Sequence, residues 1–331
     1  MMAVQANPYY TLRAGAAERA PAPEMLGPVP NAVIIYNPAA GRLRGRTRRL
    51  EKAQKILHAG GIEAELWGTT GPGAATALAR QAVADGRGLV IVSGGDGTIN
   101  EVVNGLAHSR VPLAVLPAGT ANVLGKELEL PWDVAEAAKR IAGATLRRIA
   151  LGAAVHPGRE AAPRYFISLA GAGPDGMMVY ATSLSLKKRI GVLAYWWEGL
   201  RQGFLYKFPM FRVVSGGKEG TATILIIGRT KHYGGPIQVT TEASLFEDQF
   251  EVVITDAGKA RCLLSFPALL AARYRRLKHV RCWKCTSVRA EPWREAVHAQ
   301  VDGEYIGTLP VEFRIVPDAL TLVVPGKGAP H

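Results

Sequence analysis

The chain has 331 residues and carries 40 Lys plus Arg against 27 Asp plus Glu, a formal net charge of +13. That length suggests two domains with a core each, and a 48% hydrophobic, 20% charged composition excludes a disordered chain. Three cysteines, Cys262, Cys282 and Cys285, are too few for a disulfide framework and fit a reducing, cytoplasmic setting, and no apolar run reaches the length of a membrane span.

Residues 1 to 30 read as a loose Ala/Pro tail without the apolar core of a secretory signal. From Asn31, short apolar runs alternate with helical patterns. Strands are expected at Val33 to Tyr36, Ile62 to Leu66, Leu89 to Val92 and Leu113 to Leu116. Helices are expected at Arg46 to His58, Ala74 to Ala84, Thr98 to Leu106, Ala121 to Leu128 and Val134 to Ile141. Such alternation builds a parallel sheet flanked by helices.

After about residue 145 the texture changes. Strand-like runs at Arg164 to Leu169, Thr221 to Ile227, Phe250 to Thr255 and Val311 to Val316 are joined by turns, which predicts a mainly antiparallel β-sandwich. Two helical stretches interrupt it, Leu184 to Tyr206 and Leu263 to Leu277.

The most informative segment is Ser93-Gly94-Gly95-Asp96-Gly97-Thr98, where an apolar strand meets a helix. Glycines let the main chain approach phosphate oxygens, and the helix start adds unpaired N–H groups and the positive end of its dipole. Asp96 could hold Mg²⁺, and Thr98 could bond phosphate or cap the helix; the bland reading is a tight turn with no ligand. Asn37-Pro38-Ala39-Ala40-Gly41-Arg42 and Pro117-Ala118-Gly119-Thr120-Ala121-Asn122 follow two other strands of the same sheet. Strand C-termini of a parallel sheet open on one edge, so the three loops converge on one crevice. On the residues alone, Asp302-Gly303-Glu304 reads as a surface hairpin turn.

These motifs in this order (Asn-Pro-x-x-Gly, Gly-Gly-Asp-Gly-Thr-Ile-Asn-Glu, Leu-Pro-x-Gly-Thr-Ala-Asn and Val-Asp-Gly-Glu) resemble the diacylglycerol kinase catalytic family, which includes bacterial lipid kinases and sphingosine kinases. The resemblance implies an ATP-binding α/β domain over 31–145 and a β-sandwich lipid-substrate domain over 146–326, with the last strands returning to pack on the first domain and a cleft between the two. It places ATP on Asn37, Pro38, Ala39, Ala40, Gly41, Thr69, Gly94, Gly95, Asp96, Gly97, Thr98, Ile99, Asn100 and Thr120, with Thr70 a neighbouring candidate for Thr69. It makes Glu304 the base for the lipid hydroxyl and Asp96 the catalytic carboxylate that holds Mg-ATP. It also implies a structural Mg²⁺ on Asp248 and the carbonyls of Leu245 and Phe250. Here the usual Asp-Asp-Gly turn reads Glu247-Asp248-Gln249. Arg42 stands where some relatives carry Lys, and Val123 where many have an acidic residue.

Leu186, Ile190, Leu193, Trp197, Leu200 and Phe204 recur at helical spacing between cations, a stripe that suits either a bilayer surface or an ordinary core face. Ala257 to Ala290 holds nine Lys or Arg and no Asp or Glu, with Arg273, Arg275, Arg276, Lys278, Arg281 and Lys284 at its middle. That charge favours anionic phospholipid over nucleic acid, for which no motif accompanies it. Cys282 and Cys285 have metal-site spacing but lack a second ligand pair. The expected activity is therefore transfer of the ATP γ-phosphoryl group to a membrane lipid hydroxyl, with Mg²⁺, by a cytoplasmic protein held peripherally at the inner membrane face. Diacylglycerol is the first acceptor; a sphingoid-base or ceramide kinase, an NAD kinase and a non-catalytic nucleotide-binding adaptor are the alternatives, and a homodimer is an allowed assembly.

Overall fold

A computed structural model describes residues 24–38, 46–119, 121–181, 206–233, 237–270 and 273–326. The expected helix over 184–206 falls almost wholly outside these residues, as do residues 1–23 of the tail, Ala39, Ala40, Gly41 and Thr120.

The N-terminal half is an α/β domain. Its strands β2 (Val29–Tyr36), β3 (Ile62–Gly68), β4 (Leu89–Gly94) and β5 (Leu113–Pro117) pair in parallel in the order β3-β2-β4-β5. The central strands β4 and β5 are buried along their whole length because both faces are covered, whereas β3 at the edge alternates buried and exposed residues. Helices α2 (Ala74–Ala84) and α3 (Asp96–Leu106) lie on one face, burying Ala75, Ala79, Val102, Val103 and Leu106 against Val33, Val90 and Val115. On the other face α1 (Arg46–Ala59) and α5 (Val134–Lys139) bury Leu50, Ala53, Leu57, Ala137 and Ala138 against Ile34, Ile91 and Leu116. The short α4 (Val123–Glu127) follows β5.

The C-terminal half is an antiparallel β-sandwich. One layer is six-stranded, in the order β13 (Val280–Cys285), β12 (Phe250–Thr255), β11 (Ile224–Gly228), β8 (Leu169–Ala172), β15 (His298–Val301), β16 (Glu304–Thr308). The facing layer holds β10 (Lys218–Ala222), β9 (Phe211–Ser215), β14 (Ser287–Pro292), β17 (Val311–Val324), β6 (Thr145–Val155) and β7 (Arg164–Phe166), and it belongs to the same sheet as the parallel strands. Between the layers Phe166, Phe211, Phe250 and Phe313 are fully buried, with Phe166 stacked on Phe250 at a centroid distance of 5.7 Å. Helix α6 (Pro174–Ala181) follows β8, α7 (Lys259–Leu270) follows β12, and β1 (Glu24–Met25) pairs with β6.

Two runs expected as single strands are divided between the layers. Arg164 to Leu169 breaks at Ile167-Ser168, where the chain leaves β7 in one layer and enters β8 in the other. Thr221 to Ile227 breaks at Thr223, whose hydroxyl donates to the Ala257 carbonyl at 2.7 Å. The run at Val311, by contrast, continues for 14 residues. The first half of β17 pairs with β14 in the sandwich, and Leu322 in its second half pairs in parallel with Leu113 of β5.

Candidate functional site

Because β2, β3, β4 and β5 run in parallel, Asn37, Thr69, Gly95 and Ala118 emerge at one edge of the sheet. The Asn37 N–H donates to the Ser93 carbonyl at 3.3 Å, that of Thr69 to Tyr36 at 2.9 Å, and that of Ala118 to Gly94 at 3.3 Å. Two of the glycines at this edge, Gly94 and Gly119, are steric necessities. A Cβ on Gly94 would sit 2.6 Å from the Thr98 Cβ, and one on Gly119 only 2.5 Å from the Gly95 Cα, so the second and third loops touch main chain to main chain. Gly95 enters α3 in an extended conformation, and the first bond of the helix runs from the Ile99 N–H to the Gly95 carbonyl at 3.0 Å. The amides of Gly97 and Thr98 are thus left to the edge, with Gly97 exposed, an arrangement suited to an anion.

Asp96 joins two of these loops. Its Oδ2 accepts from the Asn122 N–H at 2.9 Å and its Oδ1 from the Val123 N–H at 2.7 Å. Burial pushes this carboxyl above the usual range, while the two amides pull it back. Both oxygens therefore hold the third loop in place, a positioning role. Asn122, in the left-handed region at φ 41°, is completely buried and donates from Nδ2 to the Gly119 carbonyl at 2.9 Å. Ile99 and Asn100, expected on ATP, are turned inward, at 2% and 1% exposure. Ile99 packs in the core of the α/β domain, and Asn100 faces the sandwich.

That inward face of α3 organises the second half of the site. Asn100 and Asn104, one turn apart, hold the main chain of β7. The Asn104 Nδ2 donates to the Tyr165 carbonyl at 2.8 Å, and its Oδ1 accepts the Tyr165 N–H at 3.0 Å. The Asn100 Nδ2 donates to Asp302 Oδ2 at 2.7 Å. Asp302 also accepts the N–H groups of Ile167 (2.8 Å), Ser168 (3.0 Å) and Leu169 (2.9 Å), the amides freed where the chain changes layers. Asp302 and Gly303 both have positive φ, 45° and 77°, the requirement of a two-residue hairpin turn. The turn expected at the surface is thus a hairpin, but its aspartate is turned into the protein.

The next residue, Glu304, opens β16 and points at the glycine loop; its Oε1 lies 4.0 Å from where a Cβ would stand on Gly97. Its Oε2 pairs with Arg164 Nη2, which also donates to Asn100 Oδ1 at 2.8 Å. Burial pushes the Glu304 carboxyl up, Arg164 pulls it down, and the nearby charges of Glu101 and Asp302 push it up again, for a net rise. Arg164 and Asn104 were not singled out from the sequence, and Asp302 only as part of its turn motif, without a role of its own. The available signal was the spacing of Asn100 and Asn104, two amides on one side of a helix otherwise rich in buried apolar residues.

The turn expected to hold a structural metal lies farther along, at the junction of the halves. Leu245 is buried in the core of the α/β domain and Phe250 in that of the sandwich. Arg229, just past β11 and fully buried, donates from Nη2 to the Leu245 carbonyl at 2.7 Å and from Nη1 to the Glu247 carbonyl at 2.8 Å. Burial pulls its guanidinium down to about 10, so it stays charged at neutral pH. Cys282 and Cys285, three residues apart on β13, fall on opposite faces of the strand, and burial pushes the Cys282 thiol up to about 11.

Comparison with known proteins accords with this architecture. Residues 31–154 match the model of the diacylglycerol kinase catalytic domain, and 169–324 that of the YegS C-terminal NAD kinase beta sandwich-like domain. A diacylglycerol kinase of Bacillus subtilis (strain 168) is 31% identical over 304 residues, spanning 90% of this chain and 97% of that protein. One from Staphylococcus carnosus (strain TM300) is 31% identical over 288 residues, spanning 85% of this chain and 91% of its own. The crystal structure of a diacylglycerol kinase from Bacillus anthracis (strain Sterne) shares the fold at a TM-score of 0.66 and 21% identity, covering 89% of this chain and 97% of that one. With relatives of this identity aligned over nearly their whole length, the chain belongs to the diacylglycerol kinase family and is a lipid kinase that uses ATP as its phosphoryl donor.

Proposed function

We propose that the acceptor is diacylglycerol, phosphorylated at its primary hydroxyl to phosphatidic acid, and that ATP arrives as its Mg²⁺ complex. The observation that carries this reading is the approach of Glu304 to the Gly97 main chain, which sets a carboxylate beside the seat of an anion. The free amides of α3 at Gly97 and Thr98, with the Gly95 and Gly119 main chains, cradle the phosphates. Asn37, Pro38 and Thr69, at the same edge, take the rest of the nucleotide. The hydroxyl oxygen bonds to the γ-phosphorus, the bond from phosphorus to the β-γ bridging oxygen breaks, ADP leaves, and the hydroxyl proton passes to Glu304. A carboxylate with a raised proton affinity suits that transfer.

A lipid acceptor requires access to a bilayer. No helix among the described residues is long and apolar enough to cross one, so the reading is peripheral attachment at the cytoplasmic face. Among the basic residues of 257–290, Arg275 pairs with Glu242 and Glu251, Arg281 with Asp256, and Lys284 with Glu247. Arg273, Arg276 and Lys278 are exposed, and so is Leu264 of α7 at 82%. Exposed cations and an exposed apolar side chain in one segment match the surface of anionic phospholipid.

The test is phosphoryl transfer from labelled ATP to dispersed diacylglycerol, a sphingoid base, ceramide and NAD in parallel. Phosphatidic acid as the main product, lost in Glu304→Gln, is expected. Preference for another acceptor would refute the substrate assignment, and wild-type turnover in Glu304→Gln would refute the role of the base.

A further inference from the structure

We propose that the turn over residues 245–250 holds no metal ion and that the Arg229 side chain is its resident cation. A structural Mg²⁺ at this turn would need the Leu245 carbonyl, within about 2.1 Å, as one member of an octahedral set of oxygens. That carbonyl instead accepts from Arg229 Nη2 at 2.7 Å, and the Glu247 carbonyl of the same turn accepts from Nη1 at 2.8 Å. The fork of the guanidinium bridges two main-chain oxygens as a metal would, and it brings a buried positive charge to the spot a dication would have to occupy. The residues present therefore do not fit a bound Mg²⁺.

The rest of the turn agrees with this exchange. Lys284 Nζ engages the Glu247 carboxylate at 2.6 Å, so that acid already has a cation. Asp248 is exposed and supplies the negative charge facing Arg229. Gln249 stands where the family turn has Gly, and it is not among the residues with positive φ, so the backbone here has no need of a glycine. A purely structural arginine could have lain anywhere in the sandwich. This one sits where the chain passes from the core of one half to that of the other, between Leu245 and Phe250. The junction is thus pinned by a covalent part of the chain, and its integrity does not follow the concentration of free Mg²⁺.

This inference does not depend on the identity of the acceptor, and its test uses no nucleotide. The full chain and Asp248→Asn are dialysed to equilibrium against millimolar Mg²⁺, and bound metal is measured by elemental analysis; thermal unfolding of wild type is followed in EDTA and in Mg²⁺. Equal metal in the two proteins and one midpoint for wild type under both conditions are expected. Arg229→Met should unfold several degrees lower, with or without Mg²⁺. A stoichiometric excess of Mg²⁺ in wild type over Asp248→Asn, or a rise in the wild-type midpoint with Mg²⁺ that Asp248→Asn loses, overturns the proposal. So does a wild-type midpoint in Arg229→Met; should that variant not fold, the comparison of wild type with Asp248→Asn decides.

Discussion

Asn100 Nδ2 donates to Asp302 Oδ2 at 2.7 Å, and this bond ties the helix that follows the phosphate loop to the hairpin that carries Glu304. Two residues about 200 positions apart in the chain thereby fix the distance between the loop edge of the parallel sheet and the Glu304 side chain. Shortening Asn100 to alanine should lower kcat about tenfold to a hundredfold with little change in KM for ATP, since it disturbs the placement of the base and leaves the loop glycines alone. Steady-state kinetics separate the two constants; an equal rise in KM would show that Asn100 serves the nucleotide instead.

Asp302→Ala is expected to act on stability first. It leaves the amides of Ile167, Ser168 and Leu169 without their acceptor, at a cost on the order of 3 kcal/mol. Urea unfolding should record that loss. A variant as stable as wild type would mean that water replaces the carboxylate and that the change of layers at this point does not depend on it.

Gly119→Ala tests the contact between the second and third loops. Its methyl group would meet the Gly95 Cα, and neither partner is the flexible end of a side chain that could swing away. The loops must separate, so KM for ATP should rise about tenfold or more while the sandwich stays folded. An unchanged KM would argue that the nucleotide does not use this contact.

On the proposed mechanism the acid limb of kcat/KM belongs to Glu304. Its carboxylate form takes the proton, so activity falls as pH drops through its pKa, and because that pKa is raised the fall begins at a higher pH than for an ordinary glutamate. Arg164 is the influence that pulls it down, so Arg164→Met should move the limb to still higher pH, with Arg164→Lys close to wild type. Stability has the opposite sign. A carboxyl that binds its proton more tightly in the folded state favours folding as pH falls from the raised value toward the ordinary one. A limb that stays in place in Arg164→Met would separate Arg164 from the base.

Replacing Arg273, Arg276 and Lys278 together by alanine should weaken sedimentation with anionic vesicles roughly a hundredfold, at about 1 kcal/mol for each cation. Added salt should erase the difference, and neutral vesicles should show none. Equal binding by the triple variant would place the membrane contact elsewhere.

The glycine loops were legible because apolar strand, glycines and helix follow one another within a few residues, so the geometry is local. The fully buried strands were legible for the same reason. Asp302, Asn100 and Arg229 were not, because the groups they serve lie far away in the chain: an Asp-Gly pair states that a turn is there, but not that the aspartate faces the amides of residues 167–169. Asp96 illustrates the limit from the other side, since its motif marks the right place while its two oxygens turn out to serve the third loop. The breaks at Ile167-Ser168 and Thr223 were hidden because each half-strand is apolar enough to pass as the continuation of the other.

The long strand β17 has a consequence for how this protein comes into being on the ribosome. It inserts between β5 and β6, elements made some two hundred residues earlier, and it walls both halves at once. Until it emerges, β5 has an open edge with unpaired amides, the kind of surface on which nascent chains stick to one another. Cutting the protein into separate halves should therefore give two aggregating fragments, and early synthesis of the nucleotide half should call on chaperones until the final strand closes the gap.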